Sequence, residues 1–162
     1  MTDNMRWRYG DTKPVVIPVD SATVIEIGDL VYLNTDDALP ASTINDIGGA
    51  GPADLAAAQE QLHDALLGVA MQRSPSGTSD SIRVATAGVF EFDAASATFE
   101  VGDLLGADDN SGGTALENQK LIAVATENLA VGRVARRVGA ADTRVLVEVV
   151  GTVSHGGPQA PA

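Results

Sequence analysis

The sequence contains no cysteine and few aromatic residues. Without cysteine, the chain cannot form a disulfide, a thiolate nucleophile or a cysteine-ligated zinc site. Aromatic residues make up 4% of the 162 residues whereas 44% are hydrophobic, so valine, isoleucine, leucine and alanine must fill the core. Valine and isoleucine favour strands because β-branched side chains fit a pleated surface, and the 17 glycines supply turns. The composition therefore predicts a mostly β domain of short strands.

Positive charge and long apolar segments are also scarce. The chain has 10 basic and 22 acidic residues, and its net charge is −12. A chain this acidic repels phosphate backbones, so we expect no nucleic-acid partner. No apolar run reaches the roughly 18 residues that span a bilayer, and the N-terminal residues lack an apolar signal region. We therefore expect a protein that is made in a cytoplasm and has no membrane partner.

Residues 1–13 are polar and predict an extended N-terminal arm, at most about 45 Å long when fully stretched. Aromatic and arginine side chains dominate the energetics of protein interfaces. The candidates for contact with a partner in this segment are Arg6, Trp7, Arg8 and Tyr9. The alternative is a first strand packed on its own domain, because tryptophan is costly to leave in water. As an arm, the segment should be removable without loss of the fold.

The main domain is predicted to span residues 14–153 and to contain one inserted helix. Residues 14–20 include two prolines, which restrict a strand to the edge of a sheet. Leucines and alanines at helical spacing, with Pro52 in the first turn, predict an amphipathic helix over about residues 52–65. Residues 154–162 are too poor in apolar side chains to pack, which predicts a flexible C-terminal tail.

The second half of the domain repeats the motifs of the first half in the same order. Residues 26–31 (Glu-Ile-Gly-Asp-Leu-Val) return as residues 100–105 (Glu-Val-Gly-Asp-Leu-Leu). The other two echoes are 66–70 with 121–125, and 81–85 with 143–147. Three echoes in one order predict two related β-units folded into one barrel or sandwich.

No constellation of residues predicts catalysis or a cofactor. His63, near the polar side of the helix, and His155, in the tail, lack the Gly-x-Ser-x-Gly elbow and triad partners of a hydrolase. Residues 108–113 (Asp-Asp-Asn-Ser-Gly-Gly) lack the ligand spacing of a calcium loop and are typical of a hairpin turn. Lys13 and Lys120 lie outside the hairpin-tip contexts that carry lipoyl or biotinyl groups. We therefore expect no enzyme activity, no metal site and no cofactor.

A basic cluster stands out late in this acidic chain. Its members, Arg133, Arg136 and Arg137, are candidates for pairing with carboxylates of a neighbouring subunit. The alternative is that they are solvated side chains on an edge strand or loop, because exposed ion pairs contribute only about 0–1 kcal/mol each.

Several short motifs follow one another in a recognisable order. They are Gly-Asp-Leu-Val at 28–31, Leu-Leu-Gly-Val-Ala at 66–70, Ile-Arg-Val-Ala-Thr-Ala-Gly-Val-Phe-Glu-Phe at 82–92, Val-Gly-Asp-Leu-Leu at 101–105 and Leu-Ile-Ala-Val-Ala at 121–125. Over about residues 14–150 this pattern resembles the small capsid cement or decoration proteins of tailed bacteriophages. The helix insert departs from the shortest members of that family.

The resemblance implies a non-catalytic β-barrel or β-sandwich protein on the surface of the virion capsid. Its implied partners are the major capsid protein and copies of itself, in a homotrimer at local three-fold positions of the shell. One alternative is another structural component of a virion, such as a tail or spike protein. A further alternative is a small ligand-binding or hydrolytic β-barrel, which would need a polar pocket near His63.

Overall fold

The computed structural model describes residues 3–156, and most of its regular structure is strand. Strands account for 46% and helices for 14%, which confirms the predicted mostly β class. Among these residues, no helix has the length and the apolar character needed to cross a bilayer.

Eleven strands lie within residues 3–156. They are β1 (Trp7–Tyr9), β2 (Val15–Ile17), β3 (Leu30–Asn34), β4 (Asp37–Pro40), β5 (Leu66–Ala70), β6 (Ile82–Ala85), β7 (Ala87–Phe99), β8 (Leu104–Asp109), β9 (Leu116–Ala123), β10 (Gly132–Val134) and β11 (Val138–Val150). The helices are α1 (Leu55–Ala65) and α2 (Thr152–His155), with single 3₁₀ turns at Ala41–Thr43 and Glu127–Leu129.

The strands form two sheets that share one strand order. The first sheet has the order β2-β6-β5-β3-β4, and the second has the order β7-β11-β10-β8-β9, with β1 added outside β7. Strands β7 to β11 therefore occupy the same places in the second sheet as strands β2 to β6, in the same sequence, occupy in the first. We call strands β2 to β6 the first unit and strands β7 to β11 the second unit. The shared order confirms the predicted pair of related β-units.

In both units the first and last strands of the sheet order approach each other. In the second unit β7 and β9 pair in parallel, with Ala94 opposite Leu121, which closes a five-stranded barrel. In the first unit the Ala38 N–H donates to the Pro18 carbonyl, at 2.9 Å, where β2 approaches β4. β2 lies at the edge of its sheet, as its two flanking prolines predict.

The Gly-Asp motif builds the same turn in both units. The Asp29 carboxylate accepts a hydrogen bond from the backbone N–H three residues earlier, at 2.9 Å, and the Asp103 carboxylate does the same at 2.8 Å. The preceding glycines, Gly28 and Gly102, have φ values of 98° and 92°. A residue with a Cβ rarely adopts this conformation, which explains the glycine in each copy. The predicted echo of 26–31 in 100–105 is therefore confirmed in three dimensions.

Strand pairing shows that the second predicted echo joined the wrong strands. Val31 lies opposite Gly68 on β5, and Leu105 lies opposite Gly132 on β10. β5 therefore corresponds to β10, and its predicted match with residues 121–125 is wrong. Those residues begin on β9, which takes the place of β4.

The third predicted echo joined the right strands in a register shifted by one residue. Ala70 pairs with Val84 in the first unit, and Val134 pairs with Val147 in the second. Residue 84 therefore corresponds to residue 147, whereas the predicted match placed it against residue 146. A one-residue shift in a strand exchanges its buried and exposed faces, and Val84 and Val147 are both buried.

Corresponding residues of the two units fill corresponding interiors. The pairs include Val31 with Leu105, Ala38 with Leu121, and Val84 with Val147, all of them buried. The largest buried side chains, Phe90 and Phe92 on β7, belong to the second unit. The apolar core of the second unit continues to the inserted helix and joins the two units.

Helix α1 is an insertion between β4 and β5. It begins after Asp54, whose carboxylate accepts a hydrogen bond from the Ala57 N–H at 2.8 Å, so its start lies three residues beyond the predicted one. Leu62 on this helix is fully buried, and the Gln59 side chain donates to the Ala107 carbonyl on β8 at 2.7 Å. The helix therefore packs on the second unit although it is inserted in the first.

The placement of His63 on the polar side of the helix is wrong. His63 is buried, and its Nδ1 donates to the Ala130 carbonyl at 2.8 Å. Gln59 lies one helical turn earlier, on the same face, and it is buried too. Gln59 and His63 are polar, yet their face of the helix packs on the second unit, where each side chain donates a hydrogen bond to a backbone carbonyl.

Candidate interaction surface

The N-terminal segment is extended, as predicted, and it runs along both units of its own chain. Residues 3–6 cover the Gly-Asp turn of the first unit, where the Asn4 N–H donates to the Ile27 carbonyl at 2.7 Å. Strand β1 then pairs antiparallel with β7, with Trp7 opposite Phe90. These contacts match the alternative prediction, a first strand packed on its own domain.

Arg6 points into the protein rather than toward a partner. Its side chain is 4% exposed and donates to the Gln119 side chain at 2.8 Å and to the Glu91 carbonyl at 3.1 Å. It also forms an ion pair with Asp93 at 3.0 Å, and its guanidinium lies 5.8 Å from the centre of the Phe92 ring. The structure therefore gives Arg6 a role in holding the N-terminal segment to the second unit.

Next to Arg6, a buried carboxylate joins the two units. Asp29 is fully buried and accepts hydrogen bonds from the side chains of Gln119, at 2.7 Å, and Asn118, at 3.3 Å, both on β9. Burial raises the pKa of the Asp29 carboxyl because it penalises the charged form, while the hydrogen bonds to its oxygens oppose this change. Its counterpart Asp103 is exposed, and among the described residues its carboxylate accepts only the turn hydrogen bond.

The two Gly-Asp turns provide a matched test of this coverage. A Cβ on Gly28 would lie 2.3 Å from the Asn4 carbonyl oxygen, whereas a Cβ on Gly102 would meet nothing within 4 Å. Both alanine substitutions strain a positive φ, at a cost of about 1–2 kcal/mol. We expect Gly28→Ala to lower the free energy of unfolding by about 1 kcal/mol more than Gly102→Ala, because it also displaces the Asn4 hydrogen bond.

Urea denaturation of the two variants measures this difference. Equal losses of stability would show that residues 3–6 do not bind the turn in solution.

The side chains of Trp7 and Tyr9 face outward on β1. Trp7 is 39% exposed and Tyr9 is 51% exposed, and the Trp7 indole N–H donates to the Gly10 carbonyl at 3.1 Å. Tyr9 lines a groove of ≈ 600 Å³ together with Arg133 on β10 and the exposed Val101. The structure therefore brings Tyr9 and Arg133, predicted from distant parts of the sequence, to one surface.

The three clustered arginines separate in space. Arg133 pairs with Glu127 at 3.0 Å, and Arg137 pairs with Glu100 at 3.0 Å. Arg136 is exposed, and it has no hydrogen bond or ion pair to any residue from 3 to 156. Arg136 and Arg137 line a second groove, of ≈ 340 Å³, together with Glu91 on β7 and residues of β11.

Arg144 lines the same groove and was not predicted as a contact residue. Glu91 on β7 accepts hydrogen bonds from Arg144, at 3.0 Å, and from Arg8, at 3.1 Å. The bond from Arg144, and then that from Arg8, lowers the pKa of Glu91 below its ordinary value of 4.5. Because β11 alternates inward valines with outward polar residues, the outward position of Arg144 was readable from the sequence, but its pairing with Glu91 was not.

The two histidines of the chain have separate structural roles. His155 lies in α2, where its Nε2 is 2.8 Å from the Thr86 hydroxyl, whereas His63 is bonded to the Ala130 carbonyl, so the two histidines have different partners. No group of three or more histidine, aspartate or glutamate side chains within residues 3–156 is placed to hold a metal ion. The predicted flexible tail begins within α2, and its residues 157–162 lie outside the described part of the chain.

The chain matches a family model described as phage cement protein over residues 46–149, more than half of its length. The match includes α1, the barrel of the second unit except its last residue and the three clustered arginines, but not β1. Neither the curated proteins nor the solved structures show a significant match.

Proposed function

Because the chain belongs to the phage cement protein family, we propose that it binds the outside of a phage head shell and stabilises the shell, as a homotrimer. Its proposed partners are the major capsid protein and two further copies of itself. We propose that it is made in the host cytoplasm and joins the capsid from there, and that it catalyses no reaction. The family match is the observation that carries this proposal.

The outer face of the second unit supports the choice of contact surface. We call the exposed residues of β1 and β10 on this side the outer face; its main members are Trp7, Tyr9 and Arg133. It combines two exposed aromatic rings, which anchor interfaces well, with an arginine, a side chain that binds carboxylates through paired N–H groups. The aromatic rings are held by backbone pairing of β1 to β7, so little ordering is needed when a partner binds.

A trimer fits the proposed role because it makes several contacts with the shell at once. Once one copy is bound, the other two are held near their own sites at a high effective concentration. Contacts that are individually weak then give firm attachment, which is what a protein that holds a shell together requires.

Co-sedimentation with head shells that lack this protein tests the proposal. We expect the wild type to bind, and the double variant Trp7→Ala and Tyr9→Ala to bind about tenfold more weakly, because truncating aromatic anchors removes much of the binding energy of an interface. Val16→Ala is the matched control: Val16 is 65% exposed on β2, in the first unit, and its loss should leave binding unchanged.

Light scattering of the free and bound protein gives the stoichiometry. Three copies per complex agree with the proposal. A wild type that does not bind shells, or binds the tail instead, contradicts it.

A further inference from the structure

The duplication exposes a difference between the two Gly-Asp turns. The turn of the first unit, residues 26–29, is covered by the N-terminal segment. The turn of the second unit, residues 100–103, has the same turn hydrogen bond and a similar positive φ at its glycine. The Arg133 side chain donates to its Gly102 carbonyl at 3.2 Å, but no described backbone group bonds to Val101 as Asn4 bonds to Ile27. Within residues 3–156, the chain therefore has one filled and one empty copy of the same site.

In the filled copy, an acidic residue starts the contact. The Asp3 carboxylate accepts a hydrogen bond from the Ile27 N–H at 2.9 Å and forms an ion pair with Arg73 at 3.4 Å. The next residue, Asn4, donates its backbone N–H to the Ile27 carbonyl. An extended segment is thus held through its backbone and through one carboxylate.

The empty copy has the same groups in the corresponding places. Val101 takes the place of Ile27; it is 66% exposed, and no described residue bonds to its N–H or carbonyl. Arg137 takes the place of Arg73, since Arg137 pairs with Glu100 as Arg73 pairs with Glu26. Only the Nε of Arg137 is used in that pair, so both terminal nitrogens remain open to a carboxylate within the described structure.

We propose that the turn at residues 100–103, together with Arg137, is a docking site for an extended acidic segment of the shell protein. This inference rests on the proposed function. The segment covers the second turn as residues 3–6 cover the first. Its aspartate or glutamate binds the Val101 N–H and Arg137, and its next backbone N–H donates to the Val101 carbonyl.

One observation favours the shell protein over a second copy of this chain. The segment that fills the first site, residues 3–6, is already held in its own chain, with Arg6 buried beyond it.

The site is continuous with the outer face defined above. Val101 and Gly102 line the same groove as Tyr9 and Arg133. A segment that binds the turn can therefore extend along this groove, so the turn and the aromatic residues would contact one partner.

A peptide tests the site without any shell. The probe is a labelled six-residue peptide with the sequence of residues 2–7, and its control has asparagine in place of the aspartate. In fluorescence anisotropy with the full chain, we expect the probe to bind about tenfold more tightly than the control. Arg137→Gln should remove this preference, and Arg136→Gln, a change of the same charge one residue away, should keep it.

Arg73→Gln separates the two turns in this assay. Binding that depends on Arg73 and not on Arg137 would mean exchange with the N-terminal segment, and it would overturn the proposal. The absence of any preference for the aspartate peptide would overturn it too.

Co-sedimentation with shells then tests the partner. We expect Arg137→Gln to bind about tenfold more weakly than Arg136→Gln. If the wild type and Arg137→Gln bind equally well, the docking site is wrong while the proposed function stands. If the wild type does not bind at all, the proposed function fails and the assignment of the shell protein fails with it. If Arg137→Gln instead dissociates an oligomer in solution, the occupant is a second copy and the proposal is overturned.

Discussion

Replacing Arg6 by alanine is expected to lower the free energy of unfolding by about 3 kcal/mol. The substitution removes hydrogen bonds to Gln119, to the Glu91 carbonyl and to Asp93, and the packing of a side chain that is 4% exposed. Asp93 is 46% exposed, so water can solvate its carboxylate after the change, which keeps the loss below that of a fully buried ion pair. Urea denaturation followed by circular dichroism measures the difference.

Arg8 supplies the matched control for Arg6. It lies two residues away, and its ion pair with Glu91 is at a comparable distance, 3.1 Å against 3.0 Å for Arg6 with Asp93, but its side chain is 39% exposed. An exposed pair contributes little, so we expect Arg8→Ala to cost less than about 1 kcal/mol. Similar losses for the two variants would contradict the buried position of Arg6.

The contacts of Arg6 also change what an N-terminal deletion tests. Removing residues 1–13 was expected to leave the fold intact, but it would also remove Arg6 and the strand that covers one edge of β7. Weaker binding of such a protein to shells could then reflect lost stability. The substitutions at Trp7 and Tyr9 are the sharper test, because both side chains face outward.

Asp29→Ala is expected to lower the free energy of unfolding by about 3 kcal/mol. The Asp29 carboxylate accepts from the Glu26 N–H and from the side chains of Asn118 and Gln119, and these donors lose an acceptor in a buried place. The raised pKa of Asp29 shows that burying its charge has a cost, and relief of that cost offsets part of the loss. Thermal and urea denaturation at neutral pH measure the net effect.

The corresponding substitution in the second unit separates the stability due to the buried hydrogen bonds of Asp29 from that due to the turn hydrogen bond. Asp103→Ala removes the same turn hydrogen bond at an exposed position, where water replaces the lost acceptor, so we expect a loss of about 1 kcal/mol or less. The difference between the two variants reports the link from Asp29 to β9. If both variants lose the same stability, Asp29 contributes only to its turn, and the network does not join the units.

The sequence predicted local features well where the backbone conformation or a hydrogen bond requires a particular residue type. The glycine and aspartate of each turn are an example, since positive φ requires the glycine and the free N–H requires an acceptor. The two prolines around β2 likewise predicted an edge strand. These features depend on residues within a few positions of one another.

The register of the repeat was harder to predict, because apolar alternation fits more than one alignment. Residues 121–125 resemble β5 in amino-acid sequence, yet it is β10 that pairs with β8 as β5 pairs with β3. A strand has a side-chain period of two, so short apolar segments match one another in many places, and only the pairing of distant strands selects among them.

By itself, the sequence determined a mostly β chain with a duplicated turn-and-strand pattern, because strand formation, turn geometry and edge placement follow from neighbouring residues. Only the tertiary structure decided that Arg6 is buried while Trp7 and Tyr9 face outward, and that Asp29 is buried while Asp103 is exposed. A charged side chain can be buried only where hydrogen-bond partners meet it, and those partners, on β7 and β9, lie more than 80 residues away in the chain. The positions of these residues could therefore not be predicted before the two units were packed together.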